Sequence, residues 1–183
     1  MSAKTKFFRN SRENYVDTLA SLFDYATETF TKRPLSCFVD GGQEYTYGSF
    51  RHKCLELSQR FNRFGIGAGD KVAILSQNMP NWTVAMFSCV PFGRVTVPIL
   101  PDSSQSEVTN ILLHSECKAI FISKRELPKL SEEAKAKMTL VIDIETFEFI
   151  EKDDKAFTCE GSVKQPQPDD LASIIYTSGT SGK

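Results

Sequence analysis

Histidine is scarce in this sequence, limited to His52 and His114. Neither has a carboxylate or thiol at ligand spacing, which argues against a histidine-based metal site. Long apolar runs are missing as well. Nothing approaches a bilayer span, and the basic residues 1–10 lack the apolar stretch of a secretory signal. A cytoplasmic location is the expectation. Phe7 and Phe8 beside Lys6 and Arg9 offer peripheral membrane contact as an alternative to a frayed terminus that packs one aromatic. No excess of charge exists, with 22 Lys and Arg against 23 Asp and Glu. The basic residues are scattered rather than set in a stripe with aromatics, which argues against a nucleic-acid partner. Cys37, Cys54, Cys89, Cys117 and Cys159 are odd in number and lack a C-x-x-C pair, so they read as reduced core residues.

What is present is enough apolar sequence, 40% of 183 residues, to bury a core as one globular unit. Helical and strand patterns alternate along it, the mark of an α/β architecture with a mainly parallel sheet flanked by helices. The first helix pattern places Leu19, Leu22, Phe23, Ala26 and Phe30 on one face and is closed by Pro34. A strand around Cys37-Phe38-Val39 turns at Asp40-Gly41-Gly42 into Glu44-Tyr45-Thr46-Tyr47 as a hairpin. A second helix carries Phe50, Cys54, Leu57, Phe61 and Phe64 on one stripe and ends in the glycine turn at residues 65–70. Residues 71–75 form a buried strand, Asn78 and Pro80 start a helix through Trp82, Ala85, Met86, Cys89 and Val90, and residues 94–99 form the next strand.

Ser104 and Glu107 have capping-box spacing, so a helix is expected there, burying Val108, Ile111 and Leu112. Strands at residues 119–122 and 140–144 flank an exposed helix at 132–138. From Glu148 to Asp170 the chain reads as a polar connection. The apolar run Leu171-Ala172-Ser173-Ile174-Ile175-Tyr176 then reads as a buried strand. Trp82 is expected to pack in the core, and Asp102 to serve as an acid ahead of a helix.

That last strand delivers Thr177-Ser178-Gly179-Thr180-Ser181-Gly182-Lys183, a loop whose glycines admit backbone amides close to a polyphosphate and whose hydroxyls add donors. In open α/β sheets, ligands gather at the carboxyl ends of strands, where this loop would sit. A surface turn is the competing reading. The Walker A pattern needs four spacers between its glycines, and two are present. Gly65, Gly67 and Gly69 follow a helix and precede a strand, the wrong order for a dinucleotide turn.

Residues 174–182 closely resemble the YTSGTTG phosphate-binding loop of the acyl-adenylate-forming enzymes, which include acyl-CoA synthetases, peptide-synthetase adenylation domains and luciferases. Gly69-Asp70-Lys71-Val72-Ala73-Ile74-Leu75-Ser76-Gln77-Asn78 is similar to that family's GDRVAILSEN segment, and Val95-Thr96-Val97-Pro98-Ile99-Leu100-Pro101 to its VVPLYP element. Tyr45-Thr46-Tyr47-Gly48-Ser49-Phe50 resembles its T-Y-x-E-L element, with Gly48-Ser49-Phe50 a departure. Ser181 stands where Thr is commonest and keeps the hydroxyl.

The resemblance implies the N-terminal part of the large domain of such an enzyme, most like the long-chain fatty acid acyl-CoA synthetases. Residues 1–14 would be a flexible N-terminus, and 15–183 an incomplete AMP-binding domain that stops just after the phosphate loop. It also implies a two-step ligase using ATP, Mg2+ and coenzyme A on a small-molecule carboxylate, with the remainder of its own polypeptide as partner. By the match, Thr177, Ser178, Thr180 and Ser181 would offer hydroxyls to the β- and γ-phosphates, and Gly179 and Gly182 would let the loop fold over them. Lys183 falls at the motif's variable position, as a loop neighbour. Catalytic and metal-linked residues of the family lie outside the matched segments, so none is assigned. Alternatives are an amino-acid or acyl-carrier-protein adenylating enzyme, a non-catalytic nucleotide-binding module, and a phosphotransferase.

Overall fold

The computed structural model describes residues 17–39, 41–42, 44–152 and 164–177. Asp40 of the expected hairpin turn, Phe7, Phe8, Cys159 and Ser178, Gly179, Thr180, Ser181, Gly182 and Lys183 of the loop lie outside them. The described elements are α1 (Leu19–Thr29), β1 (Pro34–Cys37), β2 (Glu44–Thr46), α2 (Tyr47–Arg63), β3 (Lys71–Leu75), α3 (Pro80–Phe87), β4 (Val95–Ile99), α4 (Gln105–Ser115), β5 (Cys117–Ile122), α5 (Glu132–Lys135), β6 (Leu140–Asp143) and β7 (Phe149–Lys152), with 3-10 turns at Val90–Phe92 and Leu127–Lys129.

A five-stranded sheet in the order β4-β3-β5-β6-β7 forms the centre, with β7 its one antiparallel member. Both faces of the sheet are covered, so its inner strands carry continuous apolar runs, residues 72–75, 119–122 and 140–142, rather than alternating ones. Along β3, Val72 and Ile74 join a core with α1, α2 and α3, while Ala73 and Leu75 join a second core with α4 and α5. This is the three-layered α/β arrangement that the alternating pattern implied.

Most expected elements form, and the departures have local causes. The second-helix stripe is buried throughout, and α4 starts on the Ser104–Glu107 capping box. There the Ser104 N–H donates to Glu107 Oε2 at 2.7 Å, and these Ser104 bonds hold the Glu107 carboxyl below its ordinary value. In α1 the buried residues are Ala20, Phe23 and Thr27, so the stripe is rotated from the expected one, and the helix ends at Thr29, ahead of Pro34. Pro34 instead opens β1, a place a strand tolerates proline. Phe38 and Val39 fall beyond that strand and are exposed. Cys37 is exposed as well, against the core expectation, whereas Cys54, Cys89 and Cys117 are buried and unpaired. Burial pushes the Cys89 thiol up to about 12 and Cys117 to about 11. Strand β7 emerges from the stretch read as a polar connection, held by Phe149 against Phe64 and by Lys135 on Glu151 at 2.5 Å. Trp82 packs against the first core as expected.

The departure at Gly48-Ser49-Phe50 is explained by the start of α2. Thr46 is its N-cap: the Ser49 N–H donates to Thr46 Oγ1 at 3.1 Å, and the Thr46 N–H donates to Ser49 Oγ at 3.0 Å. Ser49 thus closes a reciprocal capping box with a hydroxyl. Gly48 is required because a Cβ there would stand 2.7 Å from Thr31 Cγ2 and 3.0 Å from the Thr31 carbonyl.

Among the buried polar groups, Arg94 and Asn81 escaped the sequence reading. Arg94 is fully buried just ahead of β4. Its Nε donates to the Ile66 carbonyl at 2.9 Å, Nη1 to Ser58 Oγ at 3.0 Å, and Nη2 to the Ser58 carbonyl at 3.2 Å and to Asn62 Oδ1. The guanidinium also lies over the Phe61 ring, 5.2 Å from its centroid. It therefore satisfies carbonyls at the C-terminal end of α2, where the helix dipole favours a cation. Burial lowers its pKa from the ordinary arginine value, but guanidinium remains charged in proteins. Asn81, on α3, accepts from Tyr45 Oη at 2.8 Å and donates to the Ile144 and Glu145 carbonyls at 2.7 and 3.0 Å.

Arg94→Met keeps the volume and strands those acceptors. Urea unfolding is expected to show a loss of about 3 kcal/mol. Burial raises Tyr45 to about 12. Because the folded state holds the phenol's proton more tightly, stability is full below about pH 10 and is lost as pH rises toward 12. Tyr45→Phe is expected to flatten that alkaline limb of a pH titration of the urea midpoint.

Candidate functional site

The apolar run Leu171–Tyr176 was expected to be a full strand, and the structure makes only one bridge of it. The Thr96 N–H donates to the Ala172 carbonyl at 3.0 Å, and the Ile174 N–H donates to the Thr96 carbonyl at 2.9 Å. Thr96 and Ser173 are thereby paired in parallel. The next rung of a parallel ladder would take an N–H from residue 98 on the same edge of β4, and Pro98 has none. Ladder pairing stops there. Leu171, ahead of the bridge, and Ile175, beyond it, are 59% and 73% exposed rather than buried.

Past Ile174 the chain leans on α4. Tyr176 packs against the second core, and its Oη lies 2.7 Å from His114 Nδ1. The two rings meet edge to face, with centroids 5.7 Å apart and planes at 88°. Burial raises the Tyr176 phenol above its ordinary value. The sequence places Tyr176 in the loop motif and offers His114 only as a poor metal ligand; a pairing 62 positions apart leaves no local pattern.

Thr177, the first residue of the expected phosphate loop, is exposed at the edge of a cavity of about 360 Å³ beyond the carboxyl end of β4. The walls include Pro98, Leu100, Asp102, Glu107, Asn110 and Tyr176. Asp102 and Glu107 oppose an unneutralised polyphosphate on that wall. The cavity therefore does not suit a bare polyphosphate, and the exposed Thr177 hydroxyl is the described group that fits a phosphate oxygen. Asp102 stands two residues ahead of the α4 N-cap, as expected of an acid preceding a helix. Among the described residues, no group of three or more His, Cys, Asp or Glu is placed to hold a metal ion.

The other carboxyl-end loops are braced by a buried acid. Glu126 is 2% exposed, accepts from Gln77 Nε2 at 2.5 Å and pairs with Lys129 Nζ at 2.6 Å. Lys129 also donates to the Pro101 carbonyl, and Ser123 Oγ lies 3.4 Å from Gln77 Oε1. One carboxylate thus ties together the loops after β3, β4 and β5. A lone Glu in a charged stretch gives no sign of this, since the brace joins residues far apart in sequence.

A model of the family described as AMP-binding enzyme matches residues 23–183. The medium-chain fatty-acid–CoA ligase of Escherichia coli (strain K12) is 27% identical over an alignment covering 89% of this chain and 31% of the ligase. The nonribosomal peptide synthetase sirP of Leptosphaeria maculans is 29% identical over 79% of this chain and 6% of that protein. Among solved structures, a fatty acyl CoA synthetase of Mycobacterium tuberculosis superposes with a TM-score of 0.70 at 18% identity, covering 88% of this chain and 33% of that one. The chain thus spans about a third or less of the length of these relatives.

Replacing Glu126 by Leu leaves Gln77 Nε2 without its acceptor and removes the carboxylate partner of Lys129, which keeps only the Pro101 carbonyl. We expect a loss of about 3 kcal/mol in urea unfolding and faster amide exchange in the loops after β3 and β5, read by mass spectrometry.

Proposed function

We propose, because this chain belongs to the AMP-binding enzyme family, that it is the N-terminal part of an ATP-dependent acyl-CoA synthetase acting on a fatty acid. The substrate carboxylate attacks the α-phosphorus of ATP, forming acyl-AMP and releasing pyrophosphate; the thiol of coenzyme A then takes the acyl group and AMP departs. Phosphoryl-type displacement calls for positioning and charge neutralisation more than covalent participation by the protein. Bound Mg2+ would supply much of that neutralisation. The chain's own contribution is the loop from Thr177 to Gly182, with hydroxyls at Thr177, Ser178, Thr180 and Ser181 set toward the β- and γ-phosphates and Gly179 and Gly182 giving close backbone approach. Lys183 is a neighbour of that loop.

The observation that carries this reading is the one-bridge junction of Ser173 with Thr96. It lays the final segment parallel to β4 and brings Thr177 to the carboxyl end of the sheet, where open α/β sheets hold ligands. The relatives' named substrates include medium-chain and long-chain fatty acids, which supports the fatty-acid choice. A peptide synthetase and 2-succinylbenzoate–CoA ligases are also related, and an amino-acid or aryl-acid adenylating enzyme is the second reading.

The test is carboxylate-dependent exchange of labelled pyrophosphate into ATP, measured on the native protein that carries this chain and on the 183-residue chain alone. Exchange by the native protein and none by the chain is the expected pair. Release of inorganic phosphate without AMP would sink the ligase reading in favour of phosphotransfer. The native protein's intact mass, set against 20.5 kDa for this chain, tests the proposal that residues 15–183 are one part of a larger domain.

A further inference from the structure

We propose that His114 is a positioning residue for the phosphate loop, acting through its hydrogen bond to Tyr176. The inference rests on the ligase reading above and deepens it. Backbone pairing to β4 ends at the Ile174 N–H, because Pro98 supplies no donor for the next rung. Ile175 is 73% exposed and gives the chain little hold. Tyr176 is therefore the last described anchor before Thr177, and its grip has two parts. One is packing of the ring against the second core; the other is the 2.7 Å contact of its Oη with His114 Nδ1.

The geometry gives each part a different function. Packing alone leaves an aromatic ring able to slide along the surface of α4, whereas a hydrogen bond to the ring nitrogen of His114, itself an exposed residue, sets both depth and direction. The perpendicular rings, 5.7 Å apart, reinforce one orientation. His114 itself is held by the last turn of α4, a helix whose Val108 and Leu112 are fully buried. A rigid helix thus fixes the tyrosine, and the tyrosine fixes the adjacent residue Thr177. A loop that must meet a polyphosphate with several donors at once loses affinity when its root can wander, because each donor must then be ordered on binding. His114 touches no reacting atom in this account.

The test measures the MgATP dissociation constant of the native protein by calorimetry, with its melting temperature alongside. His114→Phe and Tyr176→Phe keep the rings and remove the bond. Each is expected to weaken MgATP about three- to tenfold, the range of one hydrogen bond. The double variant is expected to be no weaker than either single one, and melting temperatures should move little. His114→Asn places a polar atom near the position of Nδ1 and should restore affinity to within about twofold. Unchanged affinity in His114→Phe, or additive losses in the double variant, would overturn the inference while leaving the ligase reading intact. A wild-type protein that binds no MgATP overturns both together.

Discussion

The Arg94 guanidinium is the contact on which the placement of everything after it depends. A cation with no exposed surface is costly to bury, and here it is stabilised without a carboxylate in hydrogen-bonding contact, by carbonyls and side chains of α2 and the turn that follows. The bonds join the C-terminal end of α2 to the residue just ahead of β4. Strand β4 is therefore fixed against the helix layer as well as against β3. Since Thr96, two residues further on, carries the bridge to Ser173, the origin of the final segment is fixed by the same buried charge.

Pro98 acts against that regularity in the next two residues. It keeps register with Ile74 on the inner edge of β4, where no donor is required of it, and it interrupts pairing on the outer edge. A strand with a full ladder would run straight past the sheet. The interrupted one leaves it after Ile174 and crosses to α4. Sequence reading took the apolar run as a buried strand because composition reports apolarity and cannot report which hydrogen bonds a neighbour 75 positions away is able to supply.

Legibility in the sequence divided along the same line. Periodicity located α2, β3, α4 and the two-faced sheet, because burial on both faces of a parallel sheet leaves unbroken apolar runs. The Ser104–Glu107 box was legible from spacing alone. The equivalent box at Thr46 and Ser49 was not, since a serine at that position has no charge to mark it. Strand β7 stayed hidden because two of its four residues, Glu151 and Lys152, are charged and exposed at an edge. At the candidate site, the loop was legible as a motif. Its supports, His114 and the Glu126 brace, were not, being built from contacts between distant segments.

The capping boxes of α2 and α4 respond differently to acid. The α2 box is made of two hydroxyls and does not titrate. In α4, by contrast, the Glu107 carboxylate accepts from the Ser104 backbone, and its lowered pKa makes that support full above the ordinary carboxylate value and lost as pH falls from there through the lowered one. Acid therefore weakens the start signal of α4, the helix that anchors the final segment, and leaves the hydroxyl box that starts α2 unchanged.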